Sequence, residues 1–186
     1  MKVIIIDNGS SYIRDLKRIF ASDETVIIAP DDIDLEKITP GTLVVLSGGH
    51  ALPVLWHDKY YVKELELIRN YPGPILGVCL GFELIAHAYG NHLSLLPRRV
   101  HAKRAIELTK EGDRYFSQNR IIAPESHRFA LHSTSHPLIS LGISKSGIEI
   151  IRHVTKPIFA VQFHLEKIAG DDGKAFFGEL RTALGE

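Results

Sequence analysis

The chain of 186 residues has very little of several features that define large classes of proteins. It has one cysteine, Cys79, so it has neither an internal disulfide nor a cysteine-rich zinc site. Its 22 lysine and arginine residues equal its 22 aspartate and glutamate residues. It therefore lacks the basic field typical of nucleic-acid-binding proteins, and the composition favours a small molecule or another protein as partner.

Long apolar runs, repeats and low-complexity segments are also missing. The N-terminal apolar run after Lys2 reaches Asp7, which is too short for a secretory signal or a membrane span. The ATP-binding pattern G-x-x-x-x-G-K-[ST] is absent, and the glycine turn at residues 47–49 is too short to cradle a phosphate. We predict one cytoplasmic domain over residues 1–186, with no cofactor and with neither nucleic acid nor membrane as partner.

The hydrophobic pattern alternates strands and helices through the first ninety residues. It predicts strands at 2–6, 25–29, 42–46 and 75–78 and helices at 12–20, 60–69 and 80–88. The strands are continuous in Val, Ile and Leu, which is typical of burial on both faces. Shorter strands follow at 105–108, 121–123, 139–143, 148–151 and 158–163, and then a helix at 174–184. The pattern predicts an α/β fold in a single domain, with a mostly parallel central sheet flanked by helices and additional antiparallel strands in the C-terminal half.

Cys79 lies between Gly77 and Gly81, where a predicted strand runs directly into a predicted helix. A sharp strand-to-helix turn needs small residues on both sides of a nucleophile, and it projects the side chain into the crevice at the carboxyl edge of the sheet. The helix N-terminus is expected to lower the thiol pKa, and the backbone N–H of Leu80 is expected to point where an oxyanion would form. Cys79 is therefore a candidate nucleophile, with buried apolar filler as the alternative.

A second motif places His164 and Glu166 two residues apart at the end of an apolar strand. Residues i and i+2 of an extended chain face the same way, so the glutamate can hold the imidazole while the other ring nitrogen takes the thiol proton. The alternative is a surface histidine beside a solvated glutamate. His132 and His136 have the i, i+4 spacing of a metal pair, but Pro137 and the lack of a helical pattern favour a loop, and no metal site is predicted.

Together these motifs resemble the class I glutamine amidotransferases over nearly the whole chain. The family's G-x-C-x-G-x-Q matches residues 77–83 with Glu83 as the last residue, Q-F-H-P-E matches 162–166 with Leu165 for proline, and S-G-G-P matches 47–50 with His50 for proline. The resemblance implies a flavodoxin-like fold in which Cys79 attacks the carboxamide of glutamine. It also implies that His164 is base and then acid, that Glu166 orients it, and that the N–H groups of Gly49 and Leu80 form the oxyanion hole.

Within the family, residues 7–12 and the segment Glu125-Ser126-His127 are most similar to the stand-alone glutaminase subunit of archaeal GMP synthase. This implies that Ser126 and His127 lie beside the bound glutamine. It also implies a separate ATP-dependent synthetase chain that aminates XMP with the ammonia. For Ser126 and His127 a turn with a helix or loop cap is the alternative.

Glu83 is the most consequential departure from the family pattern, because it lies four residues after Cys79 on the same helix face. At ~6 Å and an effective dielectric of about 20, a carboxylate opposes a thiolate by about 3 kcal/mol, near two pKa units. Glu83 is therefore expected to be protonated, paired with a cation or turned away, or to bind the α-ammonium of an amino acid. It leaves open a γ-glutamyl hydrolase or amidase with another substrate, and a catalytically silent regulatory subunit.

Overall fold

The computed structural model describes residues 1–49 and 52–185. In that part of the chain nine strands form one sheet in the order β2-β1-β3-β4-β9-β8-β6-β5-β7. The strands are β1 (Lys2–Asn8), β2 (Glu24–Ile28), β3 (Leu43–Gly49), β4 (Ile75–Val78), β5 (Leu93–Leu108), β6 (Arg120–Leu131), β7 (Leu138–Ser144), β8 (Gly147–His153) and β9 (Ile158–Val161). The helices are α1 (Ile13–Ile19), α2 (Val54–His57), α3 (Val62–Asn70), α4 (Leu80–Ala88) and α5 (Gly170–Ala183).

The sheet has a parallel half and an antiparallel half, as the sequence predicts. Strands β2, β1, β3, β4 and β9 pair in parallel. Strand β8 pairs antiparallel to β9, and β5, β6, β7 and β8 continue the sheet with antiparallel pairs. The carboxyl ends of β3, β4 and β9 therefore meet at one edge, which is where a parallel sheet binds ligands.

Two hydrophobic clusters explain the continuous apolar run of β1, from Val3 to Ile6. In β1, Ile4 and Ile6 belong to the cluster that includes buried residues of α3 and α4. Their neighbours Val3 and Ile5 belong to the second cluster, with buried residues of α1 and α5. Successive side chains of a strand point to opposite faces, so β1 contributes to both clusters.

Strand β2 differs from the expectation of burial on both faces. Val26 is 44% exposed and Ile27 is 38% exposed. The reason is its position, since β2 lies at the edge of the sheet and pairs with β1 on one side. An apolar run does not reveal whether a strand is central or at an edge.

Several element boundaries also differ from those predicted. β3 continues to Gly49 and so includes the predicted glycine turn, while β9 ends at Val161 rather than at residue 163. The strands predicted at 105–108 and 121–123 belong to a much longer antiparallel pair, β5 with 16 residues and β6 with 12. The closing helix begins at Gly170. No helix among the described residues is long and apolar enough to cross a membrane.

Candidate active site

Cys79 sits at the junction of β4 and α4, as predicted, with a backbone conformation that side-chain-bearing residues rarely adopt. Its φ is 52° and its ψ is −101°, and it is the N-cap residue of α4. The backbone N–H of Cys79 donates to the carbonyl of Val161 in β9 at 2.9 Å, and its own carbonyl accepts from the N–H of Glu83 at 3.1 Å. These bonds hold a strained turn, which is the geometry of a nucleophile elbow.

The two glycines of the motif are explained by close backbone packing around this turn. A side-chain carbon on Gly77 would lie 2.6 Å from the carbonyl oxygen of Gly81. A side-chain carbon on Gly81 would lie 2.3 Å from the carbonyl oxygen of Leu46 in β3. Glycine at 77 therefore lets β4 pack against the first turn of α4, and glycine at 81 lets α4 pack against β3.

His164 and Glu166 form a buried pair beside the elbow. Nδ1 of His164 lies 2.8 Å from Oε1 of Glu166. Because a carboxylate accepts, Nδ1 donates, and in the neutral imidazole Nε2 is then free to accept a proton. The pair forms because Leu165–Lys167 is a short 3-10 helix that begins after His164. The sequence predicts an extended chain between these two residues, and the 3-10 helix differs from that prediction.

Gly48 in β3 brings the two motifs together. A side-chain carbon on this glycine would lie 3.4 Å from Cβ of Cys79 and 3.4 Å from Cε1 of His164. The backbone N–H of His164 is fixed by the carbonyl of Pro124 in β6 at 2.9 Å. Cys79 and the ring of His164 thus both pack against one glycine, at the edge where β3, β4 and β9 end.

The thiol is buried, and its surroundings favour the neutral form over the thiolate. Burial raises the pKa of Cys79, and the carboxylates of Glu83 and Glu166 raise it further. The backbone N–H of Leu80 and the charge of Arg99 lower it, but by less. The helix N-terminus lowers the thiol pKa as predicted, but burial raises it by more. The net prediction of a lowered thiol pKa is therefore wrong.

Gly49 and Leu80 lie together at the wall of a cavity of about 240 Å³ that also contains Cys79 and Glu83. A side-chain carbon on Gly49 would lie 2.3 Å from the carbonyl oxygen of Asn8 and 2.8 Å from Cδ2 of Leu80. This position therefore requires glycine. The next residue of the S-G-G-P match, His50, lies outside the described residues.

Glu83 faces the same cavity and is 6% exposed. Burial raises its pKa to about 7, while a hydrogen bond from Gln162 and the nearby charge of His127 oppose the rise. The amide Nε2 of Gln162 donates to Oε1 of Glu83 at 3.4 Å. Glu83 is therefore not turned away from the cavity, and burial favours its protonated form relative to an exposed glutamate.

Ser126 and His127 also line the cavity, but they lie within β6 and not in the turn that was the alternative for this segment. The thiol of Cys79 donates to the carbonyl of Ser126 at 3.9 Å. Nδ1 of His127 donates to the carbonyl of Phe129 at 2.7 Å, which leaves Nε2 facing Glu125 at 3.3 Å. Burial lowers the pKa of His127, but Glu125 and Glu149 outweigh that effect, so the pKa is raised.

Sequence reasoning missed several residues of the site. The ring of Tyr12 packs edge-on against His164, with centroids 4.9 Å apart. Arg99 donates to the carbonyl of Ser126 at 3.4 Å and lines the cavity with Arg128. Gln162 lies in the matched Q-F-H segment, and Tyr12 ends the matched opening segment, so those two could have been found. The arginines carry no comparable sequence signal.

Comparisons with known proteins agree with this geometry. The sequence model of the family described as Glutamine amidotransferase class-I matches residues 4–180. A glutamine-hydrolyzing GMP synthase subunit of Methanocaldococcus jannaschii is 33% identical over 177 residues, which cover 88% of this chain and 87% of that protein. The bifunctional protein TrpGD of Thermotoga maritima is 28% identical over 186 residues, which cover 93% of this chain but 31% of that protein.

A solved structure shows the same fold. A Thermoplasma acidophilum protein described as a candidate GMP synthase subunit superimposes with a TM-score of 0.85 at 23% identity, over 99% of this chain and 94% of that one. The family match spans both the elbow and the His164–Glu166 pair. This chain therefore belongs to the class I glutamine amidotransferase family.

Proposed function

We propose that this chain hydrolyses glutamine to glutamate and ammonia through Cys79, His164 and Glu166. The observation that carries the proposal is that Cys79, at a strained backbone position, and the imidazole of His164, hydrogen-bonded to Glu166, both pack against Gly48. A nucleophile, a base and a group that orients the base are the parts that acyl transfer needs.

The reaction proceeds in two acyl-transfer steps. Nε2 of His164 takes the thiol proton of Cys79 as Sγ attacks the carboxamide carbon, and the carbonyl electrons move to an oxyanion held by the N–H groups of Gly49 and Leu80. The imidazolium then returns the proton to the amide nitrogen, and ammonia leaves as the thioester forms. Water, deprotonated by His164, attacks the thioester, and the thiol leaves with that proton as glutamate is released.

A neutral thiol suits a mechanism in which proton transfer and attack occur together. The thiol of Cys79 donates to the carbonyl of Ser126 at 3.9 Å, so attack requires its proton to be transferred to His164 instead. Glu166 holds the imidazole tautomer that can accept the proton. Oxyanion stabilisation then acts on the charge that develops during attack.

Glu83 supplies the recognition of the substrate's amino-acid end in this proposal. Glu83 lines the cavity about one helical turn after Cys79, and Ser126 and His127 line the same cavity. An α-ammonium beside Glu83 stabilises its ionised form and offsets its repulsion of a thiolate. The neutral amide that the family has at this position carries no charge, so it has none to pair with the α-ammonium and none to repel a thiolate.

The test is covalent labelling of Cys79 by 6-diazo-5-oxo-norleucine, a glutamine analogue with an electrophilic diazoketone, followed by intact-mass measurement. Stoichiometric labelling that glutamine blocks and that Cys79→Ser abolishes supports the proposal. Labelling that glutamine does not block, or that persists in Cys79→Ser, contradicts it. Glutamate release by the unmodified chain gives an independent measurement.

We further propose that the ammonia passes to a separate ATP-dependent synthetase chain that aminates XMP. The support is the Methanocaldococcus jannaschii relative named as a GMP synthase subunit, whose length this chain nearly matches. Around the cavity mouth Leu52, Trp56 and Leu95 are exposed apolar side chains, and Trp56 packs edge-on against Phe129 of the cavity wall. Exposed apolar residues clustered at a site are typical of a protein interface.

The partner proposal is tested by mixing the chain with the synthetase chain of a GMP synthase, XMP, MgATP and glutamine. GMP formation that requires glutamine and is lost in Cys79→Ala supports it. Equal GMP formation with Cys79→Ala identifies the chain as a silent regulatory subunit.

Glu83 favours a second candidate function, that of a γ-glutamyl hydrolase or amidase. This alternative predicts faster turnover of γ-glutamyl peptides than of glutamine.

A further inference from the structure

Behind the cavity wall lies a group of three buried side chains that the glutaminase mechanism does not use together. Glu125 and His127 come from β6 and Glu149 comes from β8, and each is at most 3% exposed. One nitrogen of the imidazole and one oxygen from each carboxylate all lie within 4.8 Å of one another. These atoms converge from two strands of the antiparallel half of the sheet.

The imidazole is oriented as it is in protein metal sites. Nδ1 of His127 donates to the carbonyl of Phe129 at 2.7 Å, so Nε2 faces the carboxylates, 3.3 Å from Oε2 of Glu125 and 4.0 Å from Oε1 of Glu149. A metal-binding histidine usually fixes its ring through such a bond from the other nitrogen to a carbonyl or carboxylate. The geometry therefore presents one nitrogen and two carboxylates to a common point.

Each of the two carboxylates is held by a hydrogen bond from a serine hydroxyl. The hydroxyl of Ser146 donates to Oε2 of Glu125 at 2.8 Å, and the hydroxyl of Ser144 donates to Oε1 of Glu149 at 2.9 Å. The second oxygens, Oε1 of Glu125 and Oε2 of Glu149, are buried and have no hydrogen-bond partner among the described residues. Buried carboxylate oxygens without partners are costly unless a proton or a cation compensates them.

Among the described residues, two positive charges approach three neighbouring carboxyl groups, those of Glu125, Glu149 and Glu83. Arg104 approaches Oε2 of Glu125 at 3.5 Å, and His127 can carry one more charge. A third carboxyl group, Glu83, lies close enough to interact with His127. We propose that Glu125, His127 and Glu149 bind a divalent transition-metal cation of the zinc class. Zn²⁺ takes one imidazole nitrogen with two carboxylate oxygens at about 2.0–2.2 Å, so the three side chains need to move together by about an ångström.

The proposed role is structural. Strands β6 and β8 are paired at Leu131 and Ile148, and the metal ties them together a second time through side chains on both strands. His127 and its neighbour Ser126 line the cavity that Cys79 also lines, so the same ion stiffens that part of the cavity wall. The cavity provides the entry path, because His127 borders both the cavity and the cluster. The proposal does not depend on the glutaminase activity.

The experiment uses the full chain, freed of metal with a chelator, and measures Zn²⁺ binding by equilibrium dialysis together with the change in Tm. One equivalent should bind and raise Tm, because a ligand that binds the folded state stabilises it. Glu149→Gln, which keeps the shape of the side chain, should weaken binding at least tenfold and remove the rise in Tm. Glu64→Gln, another buried glutamate in α3, is the matched control and should leave both unchanged.

Cysteine thiolates are ordinary zinc ligands, so binding at Cys79 has to be distinguished from binding at the cluster. If the cluster binds the metal, Cys79→Ser binds Zn²⁺ as the unmodified chain does. Substitution with Co²⁺ gives a check that needs no variant, since N and O ligands produce visible bands without a thiolate charge-transfer band. Absence of binding, binding unchanged in Glu149→Gln, or a cobalt spectrum with thiolate character overturns the proposal. If Glu149→Gln fails to fold, Glu125→Gln replaces it.

Discussion

Replacing Glu83 by glutamine should make Cys79 a faster nucleophile, and the size of the effect follows from the site. The carboxylate lies one helical turn from the thiol, in a wall of the same cavity. At ~6 Å and an effective dielectric of about 20, its charge raises the thiol pKa by about two units. Removing that charge increases the thiolate about 100-fold, and the lower nucleophilicity of the weaker base returns about a factor of ten, for a net gain of about tenfold.

The sign of the pH dependence separates this explanation from a change of shape. Glu83 has a pKa of about 7, so it is charged above that pH and neutral below it. Glutamine resembles the neutral form. The ratio of Glu83→Gln to unmodified rates should therefore be near one at pH well below 7 and rise toward about tenfold above it.

Alkylation by iodoacetamide is the appropriate assay, because this small neutral reagent has no α-ammonium and reports the thiol alone. Glu64→Gln is the matched control, since Glu64 is also buried with a pKa raised to about 7 but lies in α3 and is not part of the cavity wall. A ratio that does not change with pH, or an equal gain in Glu64→Gln, would refute the electrostatic explanation.

Three further predictions concern the base, the elbow and a buried carboxyl group. Glu166→Gln should lower kcat for glutamine by about 10²–10⁴ in steady-state kinetics, because it disturbs the tautomer of His164. Its Tm should change little. Gly81→Ala should lower the free energy of unfolding by about 1–3 kcal/mol, measured by urea titration, since its new carbon meets the carbonyl of Leu46. The control Gly178→Ala in α5 places its carbon in open space and should not destabilise the fold. Glu64→Gln should stabilise the protein by about 3 kcal/mol at pH 8 and by little near pH 4.5, because burial raises the folded-state pKa to about 7 and ionisation then costs stability as pH rises.

The central strands of the parallel half could be predicted from sequence because both of their faces are buried. Central strands such as β3 and β4 then read as continuous apolar runs. The long pair β5 and β6 could not, because most of β5 alternates between half-buried and exposed and carries many charges. Its regularity comes from pairing with β6, which no local pattern records.

The same distinction applies to the site. Cys79, His164 and Glu166 could be named as candidates from the sequence because each motif is contiguous. The contacts of Glu83 with Gln162 and of His127 with Glu149 join residues distant in the chain, and only the packing of β6, β8, β9 and α4 creates them. Burial is likewise a property of the fold, which is why the net direction of the thiol pKa could not be read from the helix N-terminus alone.

The raised thiol pKa and the carboxylate of Glu83 are consistent with a site that is slow when empty and fast when filled. The carboxylate opposes a thiolate only while it is ionised and unpaired, and a bound α-ammonium removes that opposition at the moment when attack becomes useful. A neutral amide at position 83 leaves the thiol equally reactive with and without substrate. Under the proposed function, the exchange of amide for carboxylate therefore links the activation of Cys79 to occupancy of the cavity, at the expense of reactivity toward small neutral electrophiles.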